Sequence, residues 1–148
     1  MKISKEGWII HGFALLHGVV ALGCRLLGLA DDMMLTLLSM MMVVILCLRC
    51  QVSGYLMAVA VLAVNITGVL LGRGTAWLID GFADSPLVIY PLSTFLCTEI
   101  IGWTMLLIAR GYARRHPEDQ GQMATSLTWL LIAFVIVLVT RLAILLLD

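Results

Sequence analysis

Long apolar stretches separated by short polar breaks are the feature that most restricts how this chain can fold. A helix that crosses a bilayer needs roughly 20 apolar residues, and five stretches approach or exceed that length: Gly7–Leu29, Met33–Leu48, Gly54–Leu71, Pro86–Ala109 and Met123–Leu147. With 62% hydrophobic and 12% charged residues, a soluble domain could not cover its apolar surface. No stretch alternates apolar and polar residues as barrel strands do. The sequence therefore predicts an all-α fold, a polytopic transmembrane bundle of five spans that forms one domain over residues 1–148.

The distribution of charge predicts the orientation of these spans. Under the five-span arrangement, one side carries the basic residues Lys2, Lys5, Arg49, Arg110, Arg114 and Arg115. The other side carries Asp31, Asp32, Asp80 and Asp84, with Arg73 as the exception. Because cytoplasmic loops are enriched in lysine and arginine, we expect a multi-pass protein of the cell (inner) membrane with a cytoplasmic N-terminus. The segment Thr75–Phe82, after span three, is expected to be a short interfacial helix.

Polar side chains inside the spans are the candidate ligand-binding residues: His17, Arg25, Asn65, Glu99 and Arg141. A charged group there costs about 2.5–3.5 kcal/mol, so each requires a partner or a function. Counted from the span ends, His17, Asn65 and Glu99 fall near the midplane, where an imidazole is the nearest candidate partner for the carboxylate. Arg25 and Arg141 fall in the outer part of the membrane, where guanidinium groups suit a carboxylate or phosphate ligand.

A purely structural role for these residues is the alternative. Glu99 would then bond to a threonine or histidine of a neighbouring helix, and the two arginines would reach the headgroups or the acidic loops. His11 lies nearer the inner surface, and we expect it to be structural.

Small residues predict close packing between helices. Span four carries Thr94, Thr98 and Gly102 at every fourth position, and Gly68 and Gly72 form a GxxxG motif in span three. Such faces let two helix backbones approach closely. They are also the faces through which two copies of the chain would form a homodimer.

Cys47 and Cys50 form a CxxC motif, which suggests a redox or zinc site. The predicted orientation places it at the cytoplasmic membrane edge, where thiols are kept reduced. No second CxxC or histidine pair completes a zinc site. The sequence also lacks a Ser-His-Asp set and a phosphate-binding loop, and no basic run is interleaved with aromatic residues. We therefore predict no enzyme activity, metal or cofactor, and no nucleic acid bound by this segment.

Four strings carry a resemblance to a known class of proteins: Leu35–Met40, Val43–Arg49, Val64–Gly68 and Pro91–Trp103. They resemble the N-terminal transmembrane region of bacterial membrane signalling proteins, in which a sensor region precedes a histidine-kinase or LytTR-type output domain. The resemblance implies a sensory input module that receives a small ligand. It also implies a C-terminal signalling domain beyond Asp148, preceded by at least one further span because the fifth span ends outside.

Two other functions fit the same residues. A small proton-linked transporter or channel would use His17 and Glu99 as a proton-carrying pair. A membrane scaffold subunit without a ligand would use its polar residues only to hold helices together.

Overall fold

The computed structural model describes residues 5–29, 31–82, 86–117, 128, 129 and 131–140. Its helices are α1 (Lys5–Leu27), α2 (Asp32–Arg49), α3 (Gly54–Phe82), α4 (Pro86–Arg115) and α5 (Leu131–Thr140). No strand occurs within the described ranges. The predicted all-α class is therefore confirmed.

Two of the helices are long and apolar enough to cross a membrane. They are Lys5–Leu27, with a mean hydropathy of 1.6, and Leu87–Arg115, with a mean hydropathy of 1.7. Only 28% of the most apolar window of each is buried inside the bundle, so most of their apolar surface is left uncovered by the protein. Among the residues that the structure describes in full, the other apolar helical stretches are shorter: Met33–Arg49, Leu131–Thr140 and the first part of α3, Gly54–Gly68.

Helix boundaries differ from the predicted spans mainly in α3 and α4. The sequence predicts a break after Leu71 and a separate interfacial helix over Thr75–Phe82, but α3 continues unbroken to Phe82. That prediction is wrong, because charged residues and glycines within a helix need not end it when the backbone hydrogen bonds continue. Similarly, α4 extends beyond the predicted end at Ala109 to Arg115.

The ends of α1 and α2 are closed by the same backbone arrangement. Gly28 has a φ of +64°; its N–H donates to Arg25 O, and the N–H of Leu29 donates to Cys24 O. At the end of α2, Gln51 has a φ of +54° and takes the corresponding place. Its N–H donates to Leu48 O. A left-handed residue that satisfies the last carbonyls in this way is a Schellman motif.

Helix α1 packs most extensively against α4, and a second side of it packs on α2. Its buried residues are spaced alternately by three and four positions: Gly7, Ile10, Ala14, His17, Ala21 and Cys24. This spacing forms one continuous seam along a helix. On α4, the predicted small-residue stripe contributes Thr98 and Gly102, both buried, and Gly102 lies against Ile10 of α1. The stripe is therefore used inside the chain.

Contacts at the bundle ends show which termini and turns lie together. Arg110 Nη2 donates to Glu6 Oε2 at 3.1 Å, and the hydroxyls of Ser53 and Tyr112 are 3.2 Å apart. The start of α1, the turn between α2 and α3, and the last turns of α4 therefore share one end, which we call the basic end. At the opposite end, the Tyr90 hydroxyl donates to Asp31 Oδ1 at 3.3 Å.

Candidate membrane-embedded site

Glu99 of α4 is bonded to two aromatic rings. Its Oε1 lies 2.6 Å from His11 Nδ1 of α1, and its Oε2 accepts a hydrogen bond of 3.0 Å from Trp103 Nε1. The rings of His11 and Trp103 meet edge to face, with their centroids 6.0 Å apart. Both oxygens of the Glu99 carboxylate therefore have a hydrogen-bond partner. The bond between His11 and Glu99, two ionisable side chains, connects α1 to α4.

The pair formed by His11 and Glu99 lies on the outer surface of the bundle. The exposed fraction of the side chain is 41% for His11 and 15% for Glu99, and the Trp103 ring is also exposed. Among the described residues, these helices are the two that are both long and apolar enough to cross a membrane. A polar group exposed to hydrocarbon is energetically unfavourable unless it forms a hydrogen bond, and the bond between His11 and Glu99 lowers this free-energy cost.

His17 has a different environment from the one predicted. It is 1% exposed, its Nδ1 donates to Phe13 O at 2.7 Å, and its Nε2 lies 3.0 Å from Ser39 Oγ and 3.1 Å from Leu35 O. The ring therefore links α1 to α2, while Glu99 meets a different imidazole. The expected pairing of His17 with Glu99 does not occur in this structure.

The hydrogen bonds of His17 depend on where the Ser39 proton points. Ser39 Oγ lies 2.8 Å from Leu35 O, to which it can donate. When the Ser39 hydroxyl donates to Leu35 O, His17 Nε2 must donate to Ser39 Oγ, and because Nδ1 also donates, the ring is then an imidazolium. When the Ser39 hydroxyl donates to Nε2, the imidazole is neutral. The link between α1 and α2 is satisfied in either state.

Asn65 is the buried polar residue of α3. It is 8% exposed, and its Oδ1 has no hydrogen-bond partner among the described residues. At 1.5 Å per residue, Asn65 and His17 each lie about 16–17 Å from the basic end, counted from Gly54 and Glu6. His17 and Asn65 are therefore at similar depth, as predicted, and both are buried.

Arg25 lies at the opposite end of the bundle from the basic end. Its guanidinium carbon is 4.7 Å from the centre of the Tyr90 ring, a cation–π arrangement that connects α1 to α4. Tyr90 in turn bonds to Asp31. Arg141 lies outside the described residues, so the predicted pair of Arg25 and Arg141 stays a prediction.

Two grooves next to α5 are lined by apolar side chains. The larger, with a volume of about 250 Å³, has the lining residues Leu37, Met40, Met41, Val44, Ile45, Val61 and Phe134. The smaller lies beside it and includes Thr36 and Val137. Neither groove is lined by His17, Arg25, Asn65 or Glu99.

The cysteines do not form a reactive pair. Cys47 is buried and Cys50 is half-buried, and both are free thiols. At the turn after α2, burial raises the pKa of the Cys50 thiol, and the nearby Arg110 partly opposes this. Fewer thiolates at neutral pH mean lower reactivity. Among the described residues, no group of three or more His, Cys, Asp or Glu side chains is placed to hold a metal ion.

The sequence did not identify His11 as the histidine that bonds to Glu99. Depth counted from the span ends favoured His17 as the partner of Glu99, because both fall near the middle of their spans. The antiparallel register of α1 and α4 instead places Ile10 against Gly102, so His11 lies within about 3 Å of Glu99 along the helix axis, a gap that the two side chains bridge. A signal was present in the sequence, since Gly102 is the position on span four where another helix can approach most closely.

Comparison of the chain with protein-family models, curated proteins and solved structures finds no match.

Proposed function

We propose that this chain is a five-span protein of the cell membrane that works as a sensory input module, with its N-terminus on the cytoplasmic side. The observation that carries the proposal is the bond between His11 and Glu99, which ties α1 to α4 at the surface of the bundle. An output domain following the chain, as the resemblance implies, belongs to the same proposal.

The charge distribution supports the membrane arrangement. Glu6 and Arg110 meet at the basic end, and the turn between α2 and α3 lies there too. Arg49, Arg114 and Arg115 belong to the same end by their positions in α2 and α4. This is the grouping expected for the cytoplasmic side.

The links of α1 support a sensory role. His17 holds α1 to α2 from the inside, where a ligand cannot reach it without opening the bundle. His11 and Glu99 hold α1 to α4 from the outside, where a ligand can compete for the same atoms. A ligand whose affinity differs between the intact and the broken state of this outer link would shift α1 relative to α4, and such differential affinity is what a signal requires.

The test measures the separation of α1 and α4 in lipid nanodiscs. Spin labels at the exposed residues Leu26 and Val88, both next to the contact between Arg25 and Tyr90, would report the separation by pulsed electron resonance in a variant with the four native cysteines replaced. A sensory module should show two separations, whose proportions change in Glu99→Gln. The control is Thr67→Val, since the hydrogen bond that Thr67 makes among the described residues goes to Ala63 of its own helix. One identical separation in all variants would refute the proposal and leave the scaffold role.

A proton-linked transporter is the second candidate, favoured by the same carboxylate–imidazole pair. Its proton-carrying residues would be His11 and Glu99, where the sequence suggested His17 and Glu99. Proteoliposomes under a pH gradient test this candidate directly. Proton uptake that is present in the wild type and absent from Glu99→Gln would support transport. Equal, background-level uptake in both would rule it out.

A further inference from the structure

His11 Nε2, on the outer face of α1 and α4, is a hydrogen-bonding atom without a partner among the described residues. His11 Nδ1 is occupied by Glu99, and no described residue bonds to His11 Nε2. Because the His11 side chain is 41% exposed, this nitrogen is accessible from outside the bundle. A polar atom in hydrocarbon without a hydrogen bond is unfavourable, so a ligand that supplies the missing partner would be stabilised there.

The helix positions next to His11 and Glu99 carry exposed apolar side chains. Leu15 lies one turn after His11 on α1 and Leu96 lies one turn before Glu99 on α4, and both are exposed, as are Ile100 and Leu107. Gly12, the next residue on α1, has no heavy atom within 4 Å of where a Cβ would lie. The Trp103 indole N–H is directed at Glu99, which leaves the ring itself for contact with a flat molecule. The ligand would therefore be lipid-soluble and contain a planar ring.

The charge and depth of the site restrict the polar group of that ligand. Glu99 brings a carboxylate to the site, which disfavours phosphate and fatty-acid headgroups. His11 also lies about 9 Å from Lys5 along α1, counted at 1.5 Å per residue, so headgroups at the basic end would not reach it easily. The imidazole can donate to a carbonyl when Nε2 is protonated and accept from a hydroxyl when it is not. A neutral carbonyl or hydroxyl group fits both conditions.

We infer that the surface formed by His11, Glu99 and Trp103 binds a membrane quinone or quinol, with its ring oxygen on His11 Nε2 and its ring against Trp103. This inference names the ligand class of the sensory site and rests on the proposed function. The ligand would enter from the bilayer and not at the outer part of the membrane, where Arg25 and Arg141 were expected to suit a carboxylate or phosphate.

The experiment follows Trp103 fluorescence in nanodiscs of a neutral phospholipid while decylubiquinone is added. Trp8, Trp77 and Trp129 are replaced by Phe, so that Trp103 is the only emitter. Quenching should be saturable. His11→Phe should weaken the apparent affinity at least tenfold, and Gly12→Leu should do the same by filling the open space beside His11. Thr67→Val should leave the affinity unchanged.

A second emitter supplies the reference for nonspecific quenching. Trp129 lies just before α5 and is also exposed; with Trp129 as the only tryptophan, quenching should rise linearly with quinone and not saturate. Linear quenching of Trp103, equal to that of Trp129, would overturn the inference. So would saturable quenching that is unaffected by both His11→Phe and Gly12→Leu. If His11→Phe does not fold, Gly12→Leu still decides the outcome.

A second copy of the chain is the competing occupant of this surface. Ile100→Cys, on the exposed side of α4, should not cross-link between copies in the same nanodiscs if the surface is open to lipid. Efficient cross-linking together with unsaturable quenching would overturn quinone binding in favour of a dimer.

Failure of this inference can be separated from failure of the proposed function. If quinone does not bind but Glu99→Gln still shifts the spin-label separations, only the ligand class is wrong. If quinone binds and the separations never change, the binding site stands and the sensory role fails.

Discussion

Ile10 of α1 fills the space that a side chain at Gly102 of α4 would occupy. A Cβ at Gly102 would lie 2.7 Å from Ile10 Cγ2 and 3.2 Å from Ile10 Cγ1. Ile10 is completely buried, so it has little room to move away. This contact sets the distance and the register between the two helices, and through them the position of His11 relative to Glu99.

We predict that Gly102→Ala destabilises the protein by about 1–3 kcal/mol, the usual cost of overpacking a filled site. The free energy of unfolding can be measured by circular dichroism in mixed detergent and lipid micelles. Gly12→Ala is the matched control, because a methyl group there meets no neighbouring atom. Equal stability of Gly102→Ala and the wild type would show that the helices are not in contact at Ile10.

Ser39→Ala should weaken the link between α1 and α2. The substitution removes the hydroxyl that pairs with His17 Nε2. The carbonyl oxygen of Leu35 then remains as the described hydrogen-bonding atom near that nitrogen. The expected loss is about 1 kcal/mol, typical of a net hydrogen bond in a buried site. The same unfolding measurement applies, with Thr67→Val as the control on an exposed helix face. A loss no larger than that of the control would mean that the serine is not a partner of His17.

Asn65→Leu should stabilise the protein by roughly 1 kcal/mol. Its Oδ1 is buried without a partner among the described residues, and replacing such an atom with an apolar group of similar shape removes a desolvation penalty. Thermal unfolding in detergent would detect the increase. A decrease would instead reveal a donor at Oδ1, such as a bound water molecule, and would make Asn65 a binding residue as the sequence suggested.

Gln51→Gly should raise the free energy of unfolding by about 0.5–1 kcal/mol. Gln51 adopts a left-handed backbone conformation, which disfavours any residue with a Cβ, and its side chain is exposed. Gly28→Ala, at the equivalent place after α1, should lower stability by about 1 kcal/mol for the same reason. If both substitutions raise the free energy of unfolding, or both lower it, the left-handed turn geometry assigned to Gln51 and Gly28 is contradicted.

The sequence and the structure agree best where hydrophobicity alone decides the outcome. The starts of α1 at Lys5 and α3 at Gly54 lie within two residues of the predicted spans. The sequence-based prediction and the structure differ where backbone hydrogen bonds continue a helix through polar residues. The residues after Leu71 predict a break, yet α3 continues to Phe82.

The choice of partner for Glu99 could not be predicted from depth along the spans. Depth fixes a position along the helix axis, but the direction in which a side chain leaves the axis also depends on helix rotation and register. The structure turns His17 toward Ser39 and His11 toward Glu99. Both histidines find hydrogen bonds, and only packing distinguishes the two arrangements.

What the sequence determined by itself is the helical class and the apolar character of the helices, because both follow from local composition and from period along the chain. It also identified Glu99 as a residue that requires a partner, since a carboxylate among apolar residues must be bonded. Only the tertiary structure decided that this partner is His11, that the pair faces outward, and that the stripe at Thr98 and Gly102 is covered by α1. These outcomes depend on how two helices rotate and slide against each other, and the closest approach, at Ile10 and Gly102, joins residues far apart in the chain.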